Sequence, residues 1–259
     1  MKIKEIVAPL EEFAPLSYQE NYDNSGLIVG RYDADVDKAL VCVDATEAVI
    51  DEAISIGAGL VISHHPIIFG GIKRLNSYGY VERVVEKAVR AGVALYACHT
   101  NLDSTIGGMS FRLAEQMGLE NLQILETVSA DNGFGVVGTL PQSENTLQFL
   151  LRIKKLFGVG AVRYSEPVSE QVCKVAVCTG SGGSVLSAAI ASGAEMYVSA
   201  DFKYNHFLDA TKLITIADIG HFESEYCSIE LICDVISKKI PTFALHKSKE
   251  STNPINYLA

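Results

Sequence analysis

Short apolar runs alternate with segments of helical periodicity in the first part of the chain. Apolar runs at residues 39–43 and Leu60–Ser63 flank residues 46–56, where apolar positions recur at the spacing of a helix. A strand, a helix and a second strand of these lengths predict a βαβ unit. Its strands are expected to be parallel and joined by a right-handed crossover.

The same pattern recurs 136 positions later in the chain. Residues 38–65 align with residues 174–201 without a gap, with identical residues at nine positions. Six of the other ten apolar positions of the first copy, five of them in the predicted strands, also stay apolar in the second. The repeat therefore predicts an α/β protein built from two similar lobes.

Each copy is followed by the pattern of a further helix and strand. We predict strands at 93–98, after a helix over Tyr80–Ala91, and at 213–217, after a helix near 207–211. The amino-terminal segment predicts an amphipathic helix that packs on the core. Its apolar face comprises Ile3, Ile6, Val7, Leu10 and Phe13.

A turn signal between the two copies separates the lobes. Asp131-Asn132-Gly133 has turn composition, and helical periodicity resumes over residues 143–157. We predict a first lobe of residues 1–128 with about 228–259, and a second lobe of residues 129–227.

Histidines and carboxylates follow several of the predicted strands. His64 and His65 end the run at Leu60–Ser63, Asp103 lies four residues after His99, and Glu225 lies four residues after His221. Neutral imidazoles and carboxylates are ligands for divalent transition metals. We interpret these clusters as one dinuclear metal site, formed where the carboxyl ends of parallel strands meet. The alternative is that they are hydrogen-bonded structural residues.

Other polar segments leave more than one interpretation open. The glycine-rich segment 180–184 begins the helix of the second copy, where backbone N–H groups bind phosphate in some proteins, but a flexible cap explains it equally well. Asp44 with Glu47 is predicted to cap the helix of the first copy. His206 and His246 lie away from the clusters and are not predicted to be ligands.

Composition narrows the class of protein. The 259 residues are 48% hydrophobic and carry a formal net charge of -10, without a long run of Lys or Arg, so nucleic-acid binding is disfavoured. The six cysteines show no Cys-x-x-Cys spacing, which is typical of reduced thiols. No signal-peptide core or apolar segment of membrane-spanning length occurs. We expect a soluble, cytoplasmic protein.

Several motifs, in order along nearly the whole chain, resemble the Nif-three-like family, also called GTP cyclohydrolase I type 2 homologues. They are Gln19-Glu20-Asn21-Tyr22-Asp23-Asn24-Ser25-Gly26-Leu27, Ser63-His64-His65-Pro66, His99-Thr100-Asn101-Leu102-Asp103, Asp201-Phe202-Lys203-Tyr204 and Gly220-His221-Phe222-Glu223-Ser224-Glu225. The chain departs from the family pattern at Asn205, Ser110, Phe111 and Val136.

The resemblance implies two α/β lobes, a dinuclear centre and a toroidal homohexamer. It implies that the metal ligands are His64, His65, Asp103, His221 and Glu225. Five side chains do not fill two coordination spheres, so we expect a bridging carboxylate and bound water. The two ions are expected to be Zn, Mn, Fe, Co or Ni.

The main functional hypothesis is a metal-dependent hydrolase that acts on a nucleotide-like or other small anionic substrate, with GTP ring opening as the activity the family name implies. His99 is predicted to orient a ligand or transfer a proton, or to make only a structural hydrogen bond. Lys203 and Tyr204 are predicted to bind substrate. The alternative is a noncatalytic, metal-binding regulatory protein. No membrane or nucleic-acid partner is expected.

Overall fold

The computed structural model describes residues 1–258, which form two compact units. The first unit comprises Met1–Leu102 and Ser228–Thr252, and the second comprises Asp103–Cys227 and the residues from Asn253 onward. Residue 259, which the sequence analysis placed in the first lobe, lies outside the described residues.

Both units are mixed α/β. The strands are β1 (Gly26–Val29), β2 (Lys38–Cys42), β3 (Leu60–Ser63), β4 (Ala94–Ala97), β5 (Glu120–Thr127), β6 (Gly133–Asn145), β7 (Arg163–Tyr164), β8 (Gln171–Ser181), β9 (Met196–Ala200), β10 (Thr215–Asp218) and β11 (Ala244–Lys247). The α-helices are α1 (Ile3–Phe13), α2 (Glu47–Ile56), α3 (Tyr80–Ala91), α4 (Thr100–Ser104), α5 (Met109–Gln116), α6 (Thr146–Leu156), α7 (Leu186–Ala191), α8 (Tyr204–Asp209), α9 (His221–Glu225) and α10 (Cys227–Lys239).

The first unit contains a five-stranded sheet in the order β1-β4-β3-β2-β11. Strands β11, β2, β3 and β4 are parallel neighbours, and β1 is antiparallel to β4. Helix α2 begins after Thr46, whose side chain accepts a hydrogen bond from the Val49 amide, and ends at Gly57 in the left-handed conformation. Its apolar face packs with that of α3 and with alternate residues of the sheet in one core cluster.

The second unit contains a six-stranded sheet in the order β5-β6-β8-β9-β10-β7. Strands β8, β9 and β10 are parallel, whereas β5, β6 and β7 pair antiparallel with their neighbours. Two clusters of buried apolar residues, one containing Phe149 and the other Phe202, take alternate residues of β8 and β9. Because successive strand residues point to opposite faces, the two clusters cover both faces of this sheet.

The register of the strands reproduces the sequence repeat. Ala39 pairs with Leu60 between β2 and β3. Val175 pairs with Met196 between β8 and β9, at positions 136 residues later. The two copies thus have the same parallel βαβ geometry, and the predicted α/β class with two similar halves is confirmed.

The boundary between the two units lies after Leu102, whereas the turn at residues 131–133 had indicated a later boundary. Residues 103–128 were assigned to the first lobe, but β5 lies in the sheet of the second unit, hydrogen-bonded to β6. The turn connects two strands of one sheet. The chain re-enters the first unit at Ser228 and leaves it after Thr252, so residues 253–258, also assigned to the first lobe, belong to the second unit.

Two local predictions also need correction. Thr46 caps α2, and Asp44, predicted to be part of the cap, instead contacts His65. The last parallel strand of the second unit spans Thr215–Asp218, shifted by one or two residues from the predicted 213–217. The amphipathic helix at the amino terminus is confirmed, since four of the five predicted positions are buried in α1.

All six cysteines are free thiols. Burial raises the pKa of Cys178, on β8, to about 12, so this thiol stays protonated at neutral pH. Within residues 1–258, no helix combines the length and apolar character needed to cross a membrane.

Candidate metal centre

His64 and His65 lie just past the carboxyl end of β3 in the first unit. The side chain of His64 is fully buried, and its Nδ1 lies 2.7 Å from the carbonyl oxygen of Cys98. His65 is partly buried, and its Nδ1 lies 2.8 Å from Oδ1 of Asp44, two residues after the end of β2. Because a carbonyl or carboxylate oxygen accepts, each Nδ1 donates, and each neutral imidazole carries its lone pair on Nε2.

His99 completes a cluster of three imidazoles in the first unit. Its ring centroid lies 5.4 Å from that of His64 and 5.5 Å from that of His65. Nδ1 of His99 lies 2.7 Å from Oδ1 of Asp23. Burial of Asp23 disfavours its charged form, but hydrogen bonds from His99 and Thr100 outweigh that effect and hold its pKa well below the usual range. Asp23 is therefore a carboxylate that orients His99.

His221 and Glu225 lie one turn apart on α9 in the second unit. Nε2 of His221 lies 3.0 Å from Oε2 of the buried Glu225, and its Nδ1 lies 2.8 Å from Oδ2 of Asp201. Asp201 follows β9 and has a φ of 55°, a left-handed conformation that is uncommon for a residue other than glycine. Asp201 aligns with His65 in the repeat. The end of the equivalent strand therefore carries an imidazole in the first copy and a carboxylate in the second.

Asp103 contacts the sheet of the second unit through Thr179 of β8. The Thr179 hydroxyl donates to Oδ1 of Asp103 at 3.2 Å, and the Thr179 amide donates to the Ser110 hydroxyl at 3.3 Å. Ser110 is one of the departures from the family pattern. Its hydroxyl supports the residue that orients Asp103.

Gly180 allows the backbone of β8 to approach Glu225. Its φ is +60°, and a Cβ at this position would lie 2.1 Å from Oε1 of Glu225. The amide of Gly180 donates to the Ser224 hydroxyl at 2.9 Å. Any larger residue would therefore displace the carboxylate of Glu225.

The glycines that follow are explained by packing within the second unit. A Cβ on Gly182 would lie 2.3 Å from the Tyr197 hydroxyl, and one on Gly183 would lie 2.3 Å from the ring of His206. These close contacts account for the glycine-rich segment without a bound phosphate.

The predicted substrate residues Lys203 and Tyr204 are exposed at the beginning of α8, two and three residues after Asp201. No contact of either with a site histidine is observed among the described residues, so substrate binding by these residues stays a prediction.

Sequence reasoning missed the acceptors that orient the imidazoles. These are Asp23, Asp44, Asp201 and the carbonyl of Cys98. Three of them lie close to a strand end or a site histidine: Asp44 lies two residues after β2, Asp201 directly follows β9, and Cys98 directly precedes His99. Only Asp201 had a further signal, its alignment with His65 in the repeat.

The four site histidines share one arrangement. In each, Nδ1 lies 2.7–2.8 Å from an oxygen acceptor, three times a carboxylate and once a carbonyl. Metal-binding histidines commonly donate their second ring nitrogen to such an acceptor, which orients the ring and makes it a better ligand. The side chains therefore fit a site for divalent transition metals.

We expect Asp44→Asn to weaken metal binding by about 10- to 100-fold, because the amide lacks the charge that orients and polarises His65. Metal affinity measured by competition with a chromophoric chelator tests this. Asp51→Asn, which changes an exposed carboxylate of α2 paired with Lys87, is the matched control. Equal affinities for the two variants would contradict the role of Asp44.

Fold and side chains together define a two-unit α/β protein with oriented imidazoles and carboxylates at the ends of its parallel strands. The model of the Duf34/NIF3 (NGG1p interacting factor 3) family matches residues 1–254. The chain belongs to this family, which confirms the resemblance seen in its motifs.

Relatives and solved structures agree with this assignment. The GTP cyclohydrolase 1 type 2 homolog of Clostridium perfringens is 30% identical over 262 residues, covering 100% of both chains. That of Clostridium acetobutylicum is 31% identical over 251 residues, covering 95% of this chain and 92% of the relative. A Bacillus cereus protein related to NIF3 has a TM-score of 0.90 at 22% identity, covering 100% of this chain and 99% of its own. A hypothetical protein of Staphylococcus aureus, SA1388, has a TM-score of 0.91 at 28% identity with the same coverage.

Proposed function

We propose that this protein is a hydrolase dependent on two divalent metal ions and acting on a nucleotide-like or other small anionic substrate. The observation that carries the proposal is the shared orientation of the four imidazoles, whose Nδ1 atoms are all held by oxygen acceptors. Structural histidines need no common tautomer, whereas histidines that bind metal through Nε2 do.

The proposed ligands are His64, His65, Asp103, His221 and Glu225. Three residues of this set, His64, His65 and Glu225, have side chains that could bind a metal ion. Mixed imidazole and carboxylate ligands suit Zn, Mn, Fe, Co or Ni. Bound there, two such ions would polarise a carbonyl, phosphoryl or ring carbon and lower the pKa of water.

The remaining residues have positioning roles in this proposal. Asp44, Asp201 and the Cys98 carbonyl fix the ligand imidazoles, and Thr179 orients Asp103. Asp23 holds Nδ1 of His99, so that Nε2 of His99 is the ring atom that would accept a proton from a substrate or return it. Lys203 and Tyr204 are proposed to contact the substrate.

The printed name of the Clostridium perfringens relative makes GTP the first substrate to test. The protein should be purified, its metals identified and counted per chain by elemental analysis, and the metal-loaded protein assayed with GTP and other phosphorylated heterocycles. We expect two divalent ions per chain and metal-dependent release of a hydrolysis product.

A broad screen without turnover, carried out with both ions bound, would contradict the hydrolase and favour a noncatalytic metal-binding protein. Absence of bound metal after reconstitution with excess Zn²⁺ or Mn²⁺ would contradict the metal site itself. The toroidal homohexamer remains a proposal, and sedimentation velocity of the same samples tests it.

A further inference from the structure

A turn formed by residues 21–24 holds two aromatic rings together in the first unit. The Tyr22 ring lies 5.9 Å from the Phe69 ring, at an interplanar angle of 54°. Two residues further along, the side chain of Asn24 donates a hydrogen bond of 2.7 Å to the carbonyl oxygen of Ile68. The turn is thus tied to the backbone beside Phe69, and Tyr22 and Phe69, here called the aromatic pair, are held in place.

The same turn places the aromatic pair beside His99. Asp23, between Tyr22 and Asn24, accepts the hydrogen bond from Nδ1 of His99. The Phe69 ring meets the His99 ring edge to face, with centroids 6.0 Å apart. One short turn therefore orients the imidazole and the aromatic pair together.

Much of the aromatic surface remains exposed at this position. Tyr22 is 63% exposed and Phe69 is 51% exposed. An exposed aromatic pair loses the free energy that its burial would contribute, and such surfaces commonly mark binding sites. The hydrogen bonds of Asn24 and Asp23 hold the turn in place, while more than half of each aromatic side chain is exposed to solvent.

The segment after Phe69 has a charge opposite to that of the chain. Residues 66–79 contain two exposed cations, Lys73 and Arg74, and no Asp or Glu, whereas the whole chain has a formal net charge of -10. In space the two cations line one surface pocket with Tyr78 and with the carboxylate of Glu82. Lys73 and Arg74 follow Phe69 by four and five residues, which is close enough in sequence for one ligand with a planar ring and an anionic group to contact both features.

We propose that the aromatic pair stacks on the planar heteroaromatic ring of an anionic ligand, and that Lys73 and Arg74 contact its phosphate groups. The choice of a nucleotide-like ligand rests on the proposed function. A second copy of the chain is a less suitable occupant, because apolar contacts between copies do not call for two adjacent cations in the segment that follows Phe69.

Calorimetric titration of the full-length, metal-loaded protein with guanosine, GTP and inorganic triphosphate tests the proposal. Phe69→Leu keeps an apolar side chain but removes the stacking surface. We expect it to weaken guanosine and GTP binding by about 5- to 150-fold and to leave triphosphate binding unchanged. The double variant Lys73→Gln, Arg74→Gln should weaken binding of GTP and triphosphate and leave guanosine unaffected.

Tyr164→Leu is the matched control, since Tyr164 is a 48% exposed tyrosine on β7 in the second unit and belongs to none of the proposed sites. It should bind all three ligands as the unchanged protein does. Elemental analysis of each variant verifies that its metal content is retained, which separates loss of stacking from loss of the metal centre.

Equal guanosine affinities for Phe69→Leu and the unchanged protein would overturn the proposal, as would failure of the unchanged protein to bind guanosine at millimolar concentration. A smaller assembly of Phe69→Leu in sedimentation velocity would show instead that the aromatic pair joins copies of the chain. If Phe69→Leu weakens guanosine binding and no substrate is turned over, the role of the aromatic pair is supported and the hydrolase proposal is refuted. If the unchanged protein hydrolyses a substrate but Phe69→Leu binds guanosine with unchanged affinity, the hydrolase is supported and the role of the aromatic pair is refuted.

Discussion

Asp103→Ala is expected to reduce metal-dependent turnover by at least about 10³-fold while the protein remains folded. The carboxylate is a proposed metal ligand, and loss of several kcal/mol of transition-state stabilisation corresponds to a factor of this size. The substitution also removes the acceptor of the hydrogen bond that the Thr179 hydroxyl donates. Losing that bond is expected to cost about 1 kcal/mol of stability.

Two further variants sharpen the Asp103 experiment. Asp103→Asn keeps an oxygen that can accept from Thr179 but loses the negative charge, so it should be nearly as inactive as Asp103→Ala and more stable. Glu115→Ala removes an exposed carboxylate from α5 in the same unit and should retain full turnover. Initial rates at saturating metal, with thermal unfolding followed by circular dichroism, provide the comparison. Substantial activity in Asp103→Asn would refute a charged ligand at this position.

Phe149→Ala is expected to lower the free energy of unfolding of the second unit by about 3–5 kcal/mol. The Phe149 ring is fully buried in the core cluster that α6 forms with the sheet, and the Arg152 guanidinium lies 5.0 Å from its centroid. Truncation leaves a cavity and removes the surface on which Arg152 packs.

Leu147→Ala on the same helix is the control for Phe149→Ala. Leu147 is 48% exposed, so its truncation should cost less than about 1 kcal/mol. Urea unfolding followed by circular dichroism measures both variants without a tryptophan signal, which this chain lacks. If the two variants unfold at the same urea concentration, Phe149 does not have the core role that its burial indicates.

The architecture was largely predictable because it depends on local pattern. Apolar runs and helical periodicity located β2, α2 and β3, and the gapless repeat predicted their counterparts in the second unit, including a register shifted by the same 136 residues. The division of the chain was less predictable. Whether β5 belongs to one sheet or the other depends on its hydrogen bonds to β6, and its own residues do not encode that choice.

The candidate histidines were chosen from their positions after apolar runs, but the residues whose oxygens hold their Nδ1 atoms could not be chosen in this way. Asp44 has the composition of a helix cap, and only the contact with His65 shows its other role. Asp23 reaches His99 across 76 positions of sequence. Hydrogen bonds of this kind have no periodicity and are set by how the strands bring distant segments together.

Local pattern was thus sufficient for the α/β class, for the repeated βαβ unit and for the choice of candidate ligands, because burial imposes a period of about two residues on strands and 3.6 on helices. Which oxygen holds each imidazole, and how the turn at residues 21–24 places Tyr22 against Phe69, emerged from the folded chain. Those contacts join segments far apart in sequence, and their geometry exists only after the sheet has formed.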